Sequence, residues 1–164
     1  MSSPLRSLVL TGATLSTGLM AGLFAAFSYS IMPGLGSTDD RTFVSAMQRI
    51  NEAILNGWFF TCFFGALVLT AVAVLLHLRR PATPWLVAAL VLYAAVLVIT
   101  IAVNVPLNDK LAAAGNVEHI ADLAAVRQRF EATWVGWNLV RAVVSTAAFG
   151  CLTWALLLTG RLPA

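Results

Sequence analysis

Trp134 to Thr159 reads WVGWNLVRAVVSTAAFGCLTWALLLT, 26 residues with one charge, Arg141. A bilayer core about 30 Å thick takes roughly 20 helical residues, so this stretch reads as a transmembrane helix. Three more stretches are free of charge: Leu8 to Met32 (25 residues), Trp58 to Leu76 (19) and Trp85 to Val103 (19). Spans set at about 8–32, 58–77, 85–105 and 134–158 make residues 1–164 a single four-span domain. The predicted fold class is all-α: an integral membrane four-helix bundle, with amphipathic outer helical extensions before spans two and four.

Composition agrees with this reading. The 164 residues are 60% hydrophobic and 10% charged, and mean hydropathy is +0.87. A soluble domain carries about 45–50% apolar and about 25% charged residues. An ordinary soluble domain and a disordered chain are excluded. So is a nucleic-acid partner, because a net charge of +3 is too diffuse to form a basic patch. Membrane lipid is the expected partner. Arg6 precedes the first stretch, but a signal peptide's apolar region is about 7–15 residues long, so a retained span is expected.

Four spans place the termini and the middle loop on one side, with Arg6, Arg79, Arg80 and Arg161 on short segments free of acids. The other side holds Arg41, Arg49, Lys110, Arg127 and Arg129 on longer segments, with all seven acids. The density of positive charge predicts cytoplasmic termini in a bacterial inner (plasma) membrane. Trp58, Trp85 and Trp134 fall at span ends, where an amphipathic ring suits the interface.

Several caps are expected. Thr83-Pro84 reads as N-cap and first helical position of span three. Ser37 to Asp40 offers caps for a helix running into span two, about 60 Å long if it continues to Leu78. Asn116 reads as the cap of a segment feeding span four. In that segment Ile120, Leu123 and Phe130 share one face, and Glu118, Asp122 and Arg129 another. Both outer segments should roof the bundle. Gln48-Arg49-Ile50 and Gln128-Arg129-Phe130 form a faint internal echo. In span one, small residues recur every fourth position at Thr14, Gly18, Gly22, Ala26 and Ser30. Close packing inside the bundle and a homo-oligomer interface through the Gly18/Gly22 face both fit that stripe.

The informative charges and amides lie at one level. Glu131, Trp134, Asn138, Arg141 and Ser145 share a helix face, with Trp137 beside Arg141. An intramembrane Arg costs about 2.5–3.5 kcal/mol on insertion scales, so it should face the bundle interior and marks a functional site by default. Asn104-Val105-Pro106-Leu107-Asn108 ends span three. Pro106 deprives the Ala102 carbonyl of its helical partner, and Asn104 and Asn108 are placed to bond Arg141 or Asn138. Gln48, Asn51, Glu52 and Asn56 lie at the same outer mouth. Phe27, Tyr29, Phe59, Phe60, Phe63 and Phe64 suit packing, lipid contact or an aromatic-ligand cavity.

Other chemistries lack their residues. His77 and His119 fall on opposite sides, and His77 beside Arg79 and Arg80 reads as a solvated helix end. Cys62 and Cys151 are single thiols without a C-x-x-C pair. No G-x-S-x-G, P-loop, H-E-x-x-H or dinucleotide fingerprint occurs.

Four spans, Pro33-Gly34 ending span one, the Asn104–Asn108 motif and Trp134-x-x-Trp137-Asn138-x-x-Arg141 together resemble the anthrone oxygenase-like family of small membrane proteins. The resemblance covers nearly the whole chain and matches at Asn104, Pro106, Asn108, Trp137, Asn138 and Arg141. Some fungal members oxidise anthrones to anthraquinones with O2. The resemblance therefore implies oxidation of an apolar aromatic small molecule without metal or other cofactor. Arg141, Asn138, Asn104 and Asn108 would be the catalytic groups. Trp137, Trp134, Glu52, Gln48 and Asn51 would bind substrate, and Glu52, Glu131 and His119 are the candidate bases. The competing reading is a non-catalytic bundle that binds a small molecule or lipid, or serves as an accessory subunit, with the Asn/Arg cluster acting only as a helix clasp.

Overall fold

A computed structural model of the chain describes residues 3–160; Arg161, counted above with the inner charges, lies outside them. The described residues form helices α1 (Ser3–Ala26), π1 (Phe27–Ile31), α2 (Met32–Gly36), α3 (Asp40–Ala53), α4 (Gly57–Leu76), α5 (Thr83–Ile99), π2 (Thr100–Asn104), α6 (Val105–Ala113) and α7 (Leu123–Gly160). Four continuous helical runs are long and apolar enough to cross a membrane: Pro4–Gly36, Gly57–Leu76, Thr83–Ala113 and Leu123–Gly160. The chain is an all-α membrane protein.

Two prolines do not end their helices, contrary to expectation. Proline lacks an N–H and its ring crowds the carbonyl four residues back. Ahead of both Pro33 and Pro106 the backbone widens into a π turn, with Met32 N–H reaching Phe27 O and Val105 N–H reaching Thr100 O. The extra residue carries the crowded carbonyl aside, and helix resumes as α2 and α6. Span one thus runs on past Pro33-Gly34 to Gly36, and span three past Asn104–Asn108 to Ala113.

The long helix expected from residue 40 to Leu78 is two helices. Asn56 is extended, at φ −122° and ψ 167°. Its Nδ2 closes α3 on the Ala53 carbonyl at 2.9 Å, and its Oδ1 caps α4 on Phe59 N–H at 3.1 Å. Asp39 caps α3, accepting from Thr42 N–H at 3.0 Å.

The helical segment feeding span four begins later than the expected Asn116 cap, at Leu123. Asn116 only turns the loop, accepting from Glu118 N–H at 3.0 Å, while Asp122 Oδ1 takes Ala125 N–H at 2.9 Å at the head of α7. Gly115, at φ +82°, supplies the left-handed turn after α6 that a side chain would disfavour. At the opposite end, α5 begins at Thr83 with Ala82 in the cap position. The Thr83 hydroxyl instead donates to the His77 carbonyl across the hairpin. His77 is not solvated: it is 1% exposed, with Nδ1 2.8 Å from Ala73 O.

The core falls into three levels. Leu10, Ala73, Leu86 and Leu152 pack near the α4–α5 hairpin, and Phe24, Phe63, Tyr93 and Ala148 at mid-bundle. Phe43, Val44 and Met47 of α3 close over Phe130, Trp134 and Leu111 at the far end, so α3 and the head of α7 roof the bundle. Arg127 ties the roof down: it bonds Gly36 O and Thr38 O at 2.8 Å each, pairs with Asp40 and Glu131, and lies over the Phe43 ring. Trp134 is buried in this layer at 4% exposure and is not interfacial, whereas Trp58 is exposed.

Candidate functional site

Beneath the roof lies a cavity of about 160 Å³ walled by all four spans and the end of α3. One wall is aromatic. Span two, placed by the Asn56 cap, presents Phe59, Phe60, Phe63 and Phe64 to it. These four rings stand in two stacked columns: Phe59 on Phe63 (5.1 Å, 14°) and Phe60 on Phe64 (6.1 Å, 11°). Phe27 joins the lining. Tyr29 lies 75% exposed outside.

The opposite wall is polar. The α7 stripe faces inward: Trp134, Asn138, Arg141 and Ser145 are all buried. Arg141 Nη2 donates to Asn138 Oδ1 at 2.9 Å, and Nη1 to Thr100 Oγ1 at 3.3 Å. Its guanidinium carbon sits 4.5 Å from the Phe24 ring centroid and 5.6 Å from that of Trp134, within cation–π range. Asn138 Nδ2 in turn donates to Phe24 O at 3.0 Å and Ser28 Oγ at 2.8 Å. This chain joins spans one, three and four. Among the described residues, Arg141 hydrogen-bonds only neutral oxygens, so its charge meets no carboxylate.

Three lining residues keep unused polar atoms. Asn104, 1% exposed at the end of π2, has neither Oδ1 nor Nδ2 bonded; Arg141 Nε and Asn51 Nδ2 are also without partners. Each buried unsatisfied polar group costs about 1–3 kcal/mol. They gather around one cavity: three donor nitrogens, one acceptor oxygen and a positive charge.

Asn51, Asn104, Asn108, Trp134, Asn138 and Arg141 all line the cavity. Contrary to the expectation that Asn104 and Asn108 bond Arg141 or Asn138, Asn108 accepts from Trp134 Nε1 at 2.8 Å, and Asn104 bonds neither. Three expected binding residues lie elsewhere. Gln48 donates to Leu111 O (2.9 Å) and Gly115 O (3.0 Å), fastening α3 to α6. Glu52 is exposed on the roof. Trp137 is one helical step off the inward face and 40% exposed. The candidate bases stay outside too: Glu131 is bound to Arg127, and His119 is exposed. Phe24, Ser28 and Thr100 are site residues that sequence reading missed. Thr100, Asn104 and Asn108 recur every fourth residue, a polar stripe that could have signalled the first of them.

A broader groove of about 380 Å³ runs outside, between α6 and α7, past Lys110 and Arg129; no buried polar atom converges on it. His/Cys/Asp/Glu clusters able to hold a metal do not occur among the described residues.

A family profile described as anthrone oxygenase matches residues 59–151. This covers more than half of the chain, from the aromatic wall of α4 through Arg141. The chain belongs to the anthrone oxygenase family. No curated protein and no solved structure matches it. Within the family match lie Asn104, Asn108, Trp134, Asn138 and Arg141; Phe24, Phe27 and Asn51 complete the cavity from outside it.

Proposed function

We propose that the protein oxidises an apolar, anthrone-like aromatic with O2 in this cavity, without a cofactor. The carrying observation is the set of unpaired donors and the carboxylate-free Arg141 facing stacked phenylalanines. An anthrone carries an acidic CH2 opposite its carbonyl. Loss of one proton gives an enolate whose negative charge rests largely on oxygen. An unpaired cation favours that anion, and preorganised donors stabilise it in a low-dielectric site.

The enolate carbon then bonds O2, and the resulting peroxide takes up a proton. Loss of the second C–H proton with cleavage of the O–O bond leaves a carbonyl and expels water. Four electrons leave the carbon, and O2 is reduced to the new carbonyl oxygen and one water. None of the lining residues is a carboxylate or imidazole, so in this reading Arg141 acidifies the substrate until water takes the first C–H proton, and the peroxide takes its proton back from water.

Purified protein in nanodiscs should accelerate conversion of anthrone to anthraquinone above its autoxidation, with one O2 consumed per product. Uptake of O2 at the uncatalysed rate sinks the proposal.

The clasp reading also has an observation in its favour, since Arg141 and Asn138 do join three spans. It leaves the unbonded Asn104 without a role. Binding of anthraquinone without turnover of anthrone would favour this non-catalytic binding reading.

We further propose that the roof faces the outside of a bacterial inner membrane and the Arg79–Arg80 hairpin the cytoplasm. The acid-free basic hairpin supports this through the excess of positive charge on cytoplasmic loops. Labelling of Ser37→Cys only from outside intact cells would test it.

A further inference from the structure

Five cavity-lining residues are also among the exposed ones: Leu55 (64%), Phe60 (41%), Phe64 (46%), Ile101 (60%) and Val105 (42%). They face the cavity and the surroundings at once. They come from two neighbouring edges, the start of span two and the π2–α6 stretch of span three. On the side of spans one and four the cavity is closed by buried side chains, Phe24, Trp134 and Arg141, at 3–5% exposure, and Gln48 holds the roof to α6. Packing agrees: α4 rests mainly on α1 and α5 mainly on α7, and the two meet each other far less.

We infer that the ligand reaches the cavity sideways from the lipid, through the gap between α4 and π2–α6. The inference rests on the cavity being the ligand site. Phe60 and Phe64 lie one and two turns below the Asn56 cap, about 6–12 Å along the helix, so the gap opens onto the bilayer. Its rim is apolar, and the Phe60–Phe64 column meets the Phe59–Phe63 column edge to face, at 68° and 71°, so a ligand entering there passes aromatic faces and edges throughout.

Size points the same way. A cavity of about 160 Å³ matches the about 150 Å³ that accepts a single benzene ring, and is well below the about 300–1,000 Å³ usual for larger ligands. A polycyclic ligand with its polar edge at Arg141 and Asn104 must leave its remaining rings in the gap. The site therefore selects flat, bilayer-dissolved aromatics with one polar edge.

Uptake of anthraquinone into nanodisc-held protein, followed by stopped-flow tryptophan quenching and native mass spectrometry, tests this. Ile101→Trp and, separately, Val105→Trp should slow uptake roughly tenfold or more. Val143→Trp, on an exposed position of α7 away from the gap, should not. Uptake should follow anthraquinone per lipid, not per volume of water. Wild-type uptake in both rim variants, or dependence on aqueous concentration alone, overturns the inference, as does failure of wild-type protein to take up anthraquinone. Slowed uptake without anthrone turnover would leave the gap standing and remove the oxidation chemistry. Turnover with unslowed uptake would do the reverse.

Discussion

Arg141 and Asn138, three residues apart on one helix, form a donor–acceptor pair of 2.9 Å that aims a guanidinium into a cavity with no carboxylate to neutralise it. A buried cation without an anion is destabilising, and in the proposed reaction the enolate formed in the cavity supplies the missing negative charge. Arg141→Met keeps much of the volume and removes the charge. Turnover of anthrone is expected to fall about 10²–10³-fold, as for loss of one oxyanion donor, while the melting temperature holds or rises. Arg141→Lys should restore little, because an ammonium cannot reproduce the planar fork. Full activity in folded Arg141→Met protein would remove Arg141 from the chemistry.

Asn104 separates ligand binding from packing. Its amide is buried with both polar atoms unbonded, so Asn104→Leu, close in shape, removes an unsatisfied group costing about 1–3 kcal/mol. The expected outcome is a higher melting temperature together with weaker anthraquinone binding. A lower melting temperature with binding unchanged would show that the amide serves the fold alone.

How much was legible beforehand depends on range. The four spans and the inward stripe Trp134–Asn138–Arg141–Ser145 follow from periodicity and from the cost of a charge in lipid, both local properties. The break at Asn56-Gly57 was also written locally, as a turn dipeptide, but the hydrophobic run beyond it suggested one helix. The π turns were not legible. Pro33 and Pro106 announce a lost hydrogen bond, yet whether a helix stops or widens depends on what packs beyond it, here the Leu111 and Met32 contacts of the roof. Gln48 and Glu131 resembled site residues for the same reason. Their partners, the Leu111 and Gly115 carbonyls and Arg127, are fixed only by tertiary packing.

The roof's first turn should respond to acid in a defined window. Thr42, through its hydroxyl and then its backbone N–H, holds the Asp39 carboxyl below its usual 3.8. A lowered carboxyl stabilises the fold above the unfolded value, and the contribution is lost as pH falls through the folded one. The cap on α3 should thus be intact from neutrality down to about pH 4 and fail only below 3.8. Amide protection at Thr42 and the Asp39 carboxyl shift, read by NMR, check this. Asp39→Asn, which keeps an acceptor but does not titrate, should flatten the response. Loss of Thr42 protection already near pH 5 would refute it.

The small stripe of span one divides at its two glycines. A methyl at Gly18 would sit 2.8 Å from the Phe149 ring, whereas one at Gly22 meets nothing within 4 Å. Gly18 is therefore an internal contact between α1 and α7. Gly18→Ala should cost little, since Phe149 is 37% exposed and can swing outward, while Gly18→Leu should lower the melting temperature clearly, by about 1–3 kcal/mol of overpacking. Gly22→Leu should leave the isolated bundle unchanged. If two copies pair through this face, Gly22→Leu must separate them, because a leucine there holds the backbones apart. Single-molecule photobleaching in nanodiscs decides: an unchanged subunit count for Gly22→Leu excludes the face as an interface, and a drop from two to one establishes it.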